Sequence, residues 1–474
     1  MMTRDDVRRT SPTSGNLLPS KALPAPLTLL AALMTLLALL ALAAPAGAQF
    51  APPEQPVAID AEMRAAIVDS VTGVIDTVYV LEEPARRIVA GLRGNLADGA
   101  YDDLSDLVEF LQRLDADAQA INHDGHFGIR ALAPVDPRYV EEGEDPAEAA
   151  RRLRFQRAGN FGFRKVEMLP GGVGYLRFDS FETPDRDAFA AAAAAMNFLA
   201  NSEALIIDLR RNGGGEPSMI RFVAGYFFDE SVHLISWYER DNEKTVQSYS
   251  ADHVPGPQLL DQPVYILTAR RTASAAEEFT FDMRNLERAT IVGDTTAGAG
   301  HTVHGAVFDF EGFRVMVRVP FGRAFNPENN EGWEGVGVIP HIAVPEAQAL
   351  EAAHADALRT LIEAEEDEEY KVFLEWPLQE IDSRLHPLTI SQEEMAAYEG
   401  QYGPRRIYIE EGALHYLREG RPPFRLEPMG DNLFRVGGLD YFRLTFERDE
   451  TGAVIKIIGL YDNGRRDEHM RDAG

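Results

Sequence analysis

The chain has 474 residues, 45% of them hydrophobic, and a formal net charge of −30. A large core and two or three domains are expected, and nucleic-acid binding is disfavoured because phosphate neutralisation needs a basic surface. There is no cysteine, which excludes disulfides, thiolate catalysis and cysteine zinc sites, and no lipid anchor on a cleavage-site cysteine is expected.

Arg4, Arg8, Arg9 and Lys21 precede an apolar stretch from Leu27 to Ala44, and Ala46-Gly47-Ala48 has the small-x-small form of a cleavage site. Residues 1–48 are expected to be a signal peptide. The product would be exported, periplasmic or extracellular, with no membrane span after cleavage. The alternative is an uncleaved anchor, because the stretch borders on a spanning length.

Apolar residues at three-to-four spacing predict helices over 61–78, 84–95 and 101–116, an N-terminal helical domain within 49–132. His123-Asp124-Gly125-His126 follows. A histidine in a loop can act as general base to a serine or be structural. His123 and His126, like His301 and His304, stand three apart, a weak metal signal without a third ligand; no metal and no cofactor are expected. Residues 133–160 read as a linker with a short helix over 146–156.

An α/β core is expected over 161–370. Val173–Phe178, Ala204–Leu209, Val264–Thr268 and Thr290–Gly293 read as strands, and Asp185–Asn201, Ser218–Phe228 and the segment from Ser274 to Arg288 as helices. Their alternation predicts a mostly parallel sheet with flanking helices. Phe310–Val319 is strand-like and Ala347–Glu363 helical. The acidic run from Glu363 to Glu369 reads as an exposed helix end or linker. After a linker at 371–390, short alternating segments separated by Gly, Asn and Asp predict a small antiparallel β domain over 391–474.

Four segments carry candidate chemistry. Ser274, in Thr272-Ala273-Ser274-Ala275-Ala276-Glu277-Glu278, lies at a strand-to-helix turn, where the Ala275 N–H can donate to an oxyanion. Ser274 and Glu277 equally fit a capping box. Asp208-Leu-Arg-Arg-Asn-Gly-Gly-Gly215 places three glycines after a buried strand, letting the backbone turn its N–H groups outward. It lacks the Lys-Ser/Thr of a phosphate loop. Trp333-Glu334-Gly335-Val336-Gly337-Val338 offers a glutamate to orient a histidine, or is a surface turn. The His123–His126 loop is the fourth.

Together with Val173–Phe178 and Arg288–Gly298, these segments resemble, in family order, the tail-specific protease superfamily of serine peptidases. The branch is the one related to the tricorn protease core and the interphotoreceptor retinoid-binding protein repeat. The resemblance implies a crotonase-like core with Ser274 as nucleophile. It gives the oxyanion hole to Ala275 with Gly213 or Gly214. Processing proteases of the superfamily have a lysine base in a Thr-Thr-x-Gly-Lys-Gly pattern. Here that position holds Ala299, and no lysine lies between Lys244 and Lys371. The tricorn-like branch implies His126 as base and Glu334 as its orienting partner, with His301 as rival base. A serine precedes the histidine in that branch and Gly125 does so here, leaving a direct, water-bridged or weakened His126–Glu334 link open. The stretch between His126 and Val173 is too short for a PDZ domain of roughly 80 to 100 residues. The expected activity is an exported serine peptidase acting on peptides or flexible chain ends. The alternatives are a non-catalytic apolar-ligand-binding module and a small-substrate esterase or amidase.

Overall fold

The computed structural model describes residues 52–472 apart from Glu54, 135–145, Pro184 and Asp241; the signal segment expected at 1–48 lies outside them. In chain order the elements are α1 (Ala61–Val78), α2 (Glu82–Ala97), α3 (Leu107–Ile121), β1 (Gly128–Leu132), α4 (Pro146–Ala158), β2 (Phe163–Leu169) and β3 (Val173–Phe178). Then come α5 (Arg186–Phe198), β4 (Ala204–Asp208), α6 (Pro217–Ala224), β5 (His233–Glu239), β6 (Lys244–Tyr249), β7 (Val264–Thr268), α7 (Ala275–Asn285) and β8 (Thr290–Gly293). They are followed by β9 (His301–Phe310), β10 (Phe313–Phe325), β11 (Ile342–Ala343), α8 (Ala349–Ala364), α9 (Glu368–Leu385), α10 (Gln392–Tyr398) and eight strands from β12 (Gly400–Tyr402) to β19 (Arg466–Met470).

The central sheet has the order β11-β8-β7-β4-β3-β2. Strands β3, β4, β7, β8 and β11 are parallel, and β2 is an antiparallel edge. Every residue of β4 and β7 is buried, as strands covered on both faces require. Helices α5, α6 and α7 cover one face through Met196, Ile220 and Phe279, and α8 and α9 cover the other through Leu358 and Leu374.

A second sheet is antiparallel throughout, in the order β1-β10-β5-β6 with β9 also paired to β10. The sequence reading expected only part of β10 and a mostly parallel arrangement. Most of β6 and β9 is exposed or half-buried, so these strands carry little of the apolar pattern that marks a strand. Strand β10 is long enough to pair with β1 at one end and β5 at the other, with a bulge between Pro320 and Gly322.

The N-terminal helices begin on side-chain caps. Asp60 accepts from the Met63 N–H, and Asp106 from those of Val108 and Glu109. Their apolar stripes, including Ile67, Val71, Phe110 and Leu114, pack into one core with Phe127, Ile129, Phe313, Val315 and Val317. Helices α1 to α3 therefore share their interior with β1 and β10. At the other end, residues 371–390 fall mainly in α9, and Gln379 accepts a 2.8 Å hydrogen bond from Arg443 of the last sheet. The acidic run spans the joint between α8 and α9, where Asp367 caps α9. In the last sheet each strand pairs with its sequence neighbour. The Asp472 N–H donates to the Gln401 carbonyl at 2.8 Å, bringing the ends together in a barrel-like form around Tyr398, Tyr402, Phe434 and Phe446.

Leu114 is fully buried on α3, in the core shared with β10. Leu114→Ala is expected to destabilise the protein by about 2–5 kcal/mol, read as a lowered midpoint in urea unfolding. A loss under about 1 kcal/mol would show that this helix is not part of the cooperative core.

Candidate active site

Ser274 joins buried strand β7 to helix α7 with φ 55° and ψ −125°. A positive φ is rare for a residue with a Cβ and costs of order 1–3 kcal/mol. The residues on either side hold it there. The Thr272 hydroxyl donates to the Leu209 carbonyl at 2.9 Å, and the Ser274 N–H donates to Glu277 Oε2 at 2.9 Å. The Glu277 half of the reciprocal capping box is thereby formed.

Glu277 does more than cap. It is fully buried. Besides the Ser274 N–H, its carboxylate accepts from the Thr296 hydroxyl at 2.6 Å, the Gly298 N–H at 2.6 Å and the Ala299 N–H at 2.8 Å. The turn after β8 is thereby fixed to the start of α7.

The glycine turn after β4 packs directly against the serine. Gly214 has φ +107°, and a Cβ there would stand 2.8 Å from Ser274 Cβ and 3.0 Å from Ala275 N. Only glycine permits that approach. Asn212 organises the turn: its Oδ1 accepts the Gly214 N–H at 2.9 Å, and its carbonyl accepts the Ala273 N–H at 3.2 Å. The Gly214 N–H is thus engaged, whereas that of Gly213 makes no hydrogen bond among the described residues. As the first residue of α7, Ala275 has no intrahelical partner for its N–H.

His126, His301, Ser274 and Ala275 line one open cleft of about 910 Å³, together with Trp237 and Trp333. His126 Nδ1 lies 3.3 Å from Glu334 Oε1, a direct contact despite the glycine at position 125. Glu334 Oε2 accepts the Gly300 N–H at 2.7 Å. No hydrogen bond joins the Ser274 hydroxyl to either imidazole. Hydrogen bonding to Glu334 raises the His126 pKa, and its partial burial opposes the rise. A larger cleft of about 1060 Å³, between α8, α9 and the last sheet, includes none of these residues.

Two further groups complete the cluster. Asp124 is buried, accepts the His126 N–H at 2.9 Å and takes a 2.9 Å hydrogen bond from the Tyr79 hydroxyl. Burial works against its ionisation, yet contacts from His301, the His126 N–H and Tyr79 bring its pKa down to about 2. His301 Nδ1 lies 3.5 Å from Asp124 Oδ2 and 3.7 Å from Glu334 Oε2. His301, expected as a rival base, therefore sits beside His126 in one group with Asp124 and Glu334, to which His123 and His304 do not belong. Asp124 and the wider role of Glu277 went unread in the sequence. The only available signals were an acid two residues before His126 and an acid already explained as a cap.

Residues 172–344 match the family model for Peptidase family S41, a stretch that holds Ser274, the 213–215 glycines and Glu334 but not His126. A carboxyl-terminal-processing protease from Synechocystis is 31% identical over 134 residues, 28% of this chain and 29% of that protein. Carboxy-terminal processing protease CtpB from Bacillus subtilis is 26% identical over 181 residues, 38% of this chain and 35% of that protein. The chain thus spans about a third of the length of these curated relatives. Among solved structures, the tricorn protease aligns with a TM-score of 0.39 and 13% identity over 68% of this chain and 37% of its own. Among the described residues no helix is long and apolar enough to cross a membrane.

The strain at Ser274 yields one prediction. Ser274→Gly is expected to raise stability by about 1 kcal/mol, because glycine adopts positive φ freely, while Ser274→Ala gains no such amount. Thermal unfolding of the pair checks this, and equal midpoints would show the backbone is unstrained.

A second concerns Glu278 and Asp282, one turn apart on α7, both almost fully buried and with unpartnered carboxyl oxygens. Burial raises both pKa values, that of Glu278 from 4.5 to about 8. The folded state then keeps protons that the unfolded state releases. Stability should fall as pH rises between about 4.5 and 8, by up to about 1.4 kcal/mol per pH unit for each such group. Glu278→Gln should make that decline shallower in denaturation midpoints measured from pH 4 to 9. An unchanged slope would refute the neutral buried acid.

Proposed function

We propose that the protein is an exported serine peptidase that hydrolyses peptide bonds in peptides or flexible chain ends through an acyl-enzyme on Ser274. The observation that carries this reading is the convergence, in one cleft, of a serine on a strained strand-to-helix turn with an imidazole backed by carboxylates. His126 is the general base and Glu334 orients it. Glu334 on Nδ1 leaves Nε2 to take the Ser274 proton as Oγ attacks the scissile carbonyl carbon. The N–H groups of Ala275 and Gly213 receive the oxyanion; Gly213 is preferred to Gly214 because the Gly214 N–H is held by Asn212. His126 then protonates the leaving amine, and water repeats the sequence in reverse order to release the acyl group.

The placement within the tricorn-like branch rests on Ala299 standing where the processing proteases carry lysine, and on a histidine supplied ahead of the core. A crotonase-like core working without a PDZ module accords with the chain from His126 to Val173, where β1, α4 and β2 are formed. Substrates would enter the open cleft directly. Export rests on the signal-like segment at 1–48.

A fluorophosphonate probe should label the protein, and Ser274→Ala should abolish labelling. His126→Ala should slow labelling by on the order of 10²–10⁴-fold, the usual contribution of a general base. Labelling that survives in Ser274→Ala would refute the assignment.

A further inference from the structure

We propose that Asp124, His126, His301 and Glu334 form a binding site for a tetrahedral divalent cation of the Zn²⁺ type, and that a cation held there switches the catalytic serine off. Binding rests on geometry alone; the inhibitory consequence rests on the peptidase reading above.

The geometry is that of a ligand shell. Each of the four residues offers one ligand atom, and these atoms all lie within 4.8 Å of one another. Zinc bonds to imidazole nitrogen and carboxylate oxygen of about 2.0–2.2 Å place neighbouring corners of a tetrahedron about 3.3–3.6 Å apart. Around this group His126 Nδ1 lies 3.3 Å from Glu334 Oε1 and 3.7 Å from Asp124 Oδ1. His301 Nδ1 lies 3.5 Å from Asp124 Oδ2 and 3.7 Å from Glu334 Oε2. Each carboxylate turns one oxygen to each imidazole, so a cation between them can take one oxygen from each acid and Nδ1 from each histidine.

A second observation points to a ligand independently of that spacing. The His301 side chain is only 4% exposed, and its Nδ1 makes no well-formed hydrogen bond, its carboxylate neighbours standing off at 3.5 Å (Asp124) and 3.7 Å (Glu334). A buried polar atom without a well-formed hydrogen bond is costly, and one facing two carboxylates is placed to coordinate a cation. Two carboxylates with two neutral imidazoles carry two negative charges, which a divalent ion neutralises. Two nitrogen and two oxygen donors suit zinc, whereas all-oxygen shells suit magnesium or calcium.

The surroundings hold the ligands in place. The Tyr79 hydroxyl and the His126 N–H donate to Asp124, and the Gly300 N–H donates to Glu334. Such outer contacts fix ligand orientation in metal sites. Arg318 opposes a cation, but its guanidinium is exposed, hydrogen-bonded to the carbonyls of Gly125 and His126, and screened by water.

The inhibition follows from the two nitrogens of His126. Catalysis needs the proton on Nδ1, facing Glu334, and a lone pair on Nε2. A cation on Nδ1 displaces that proton, so the neutral ring carries its proton on Nε2. It then has no lone pair to accept the Ser274 proton, and the hydroxyl stays un-ionised.

The test uses the full chain and cobalt chloride, with displacement by zinc chloride. One Co²⁺ per chain with a tetrahedral visible spectrum, displaced by Zn²⁺, is expected. His301→Gln and His126→Gln should each weaken Co²⁺ binding at least about tenfold, with unchanged circular dichroism showing that both still fold. Saturating Zn²⁺ should slow fluorophosphonate labelling of Ser274 at least about tenfold, and EDTA should restore it. No saturable Co²⁺ binding, an octahedral spectrum, or binding in both histidine variants as tight as in the unsubstituted chain would overturn the site. If the metal-free chain is not labelled at all, the peptidase reading fails, while the cobalt titration still decides the cation site.

Discussion

The buried carboxylate of Glu277 is the junction on which the candidate site depends. It ties the serine turn to the loop after β8 through the Ser274, Gly298 and Ala299 N–H groups and the Thr296 hydroxyl. A buried carboxylate is tolerated only when its oxygens are satisfied, and charged hydrogen bonds are worth more than neutral ones. From that loop the connection continues outward. The Gly300 N–H donates to Glu334, the Gly335 N–H to the Gly298 carbonyl, and the Val338 N–H to the Thr296 hydroxyl. Glu334 then meets His126. Ser274 and Glu334 are thus linked through one backbone segment, so displacement at either end is transmitted to the other.

His126 itself is held by a different part of the molecule. It sits between α3 and β1, and β1 pairs with β10 from Gly128 to Leu132. The apolar interior of α1 to α3 lies against the same strand. As the proposed base, supplied from so far ahead of the serine, His126 needs a rigid route to it, and a shared core provides one that a flexible linker would not. The Val80 N–H adds a tie to the Pro320 carbonyl at 2.8 Å, near the bulge in β10.

The parts legible in the sequence were those with strong local signatures. Strands β3, β4, β7 and β8 stand as uninterrupted apolar runs between glycine or polar turns, which covered parallel strands require. Ser274, the 213–215 glycines, His126 and Glu334 each lie in a short motif, and the cleft brings Ser274 and His126 together. What stayed hidden depends on contacts between distant segments. Strands β6 and β9 have no continuous apolar face to announce them, and β5 only forms a sheet once β10 reaches it. Asp124 gains meaning through Tyr79 and His301, which lie 45 and 177 positions away in the chain. Glu277 looked fully explained as a helix cap, because a local reading cannot see donors supplied by residues 296–299.

In the proposed assignment, Ala299 in place of a lysine has structural consequences beyond the choice of base. A lysine on the loop next to the serine needs only that loop to be ordered, and its proton affinity must be lowered by burial to work near neutral pH. Ala299 uses its backbone N–H on Glu277 and leaves its side of the cleft open. The imidazole has a proton affinity already suited to neutral pH, but it must be carried to the serine by another sheet and held by carboxylates of its own. Asp124 and Glu334 contact both imidazoles, and the same concentration of negative charge is what the proposed cation site draws on. On that proposal the antiparallel sheet, the helices packed on it and the acidic cluster serve together to bring a distant base to the serine.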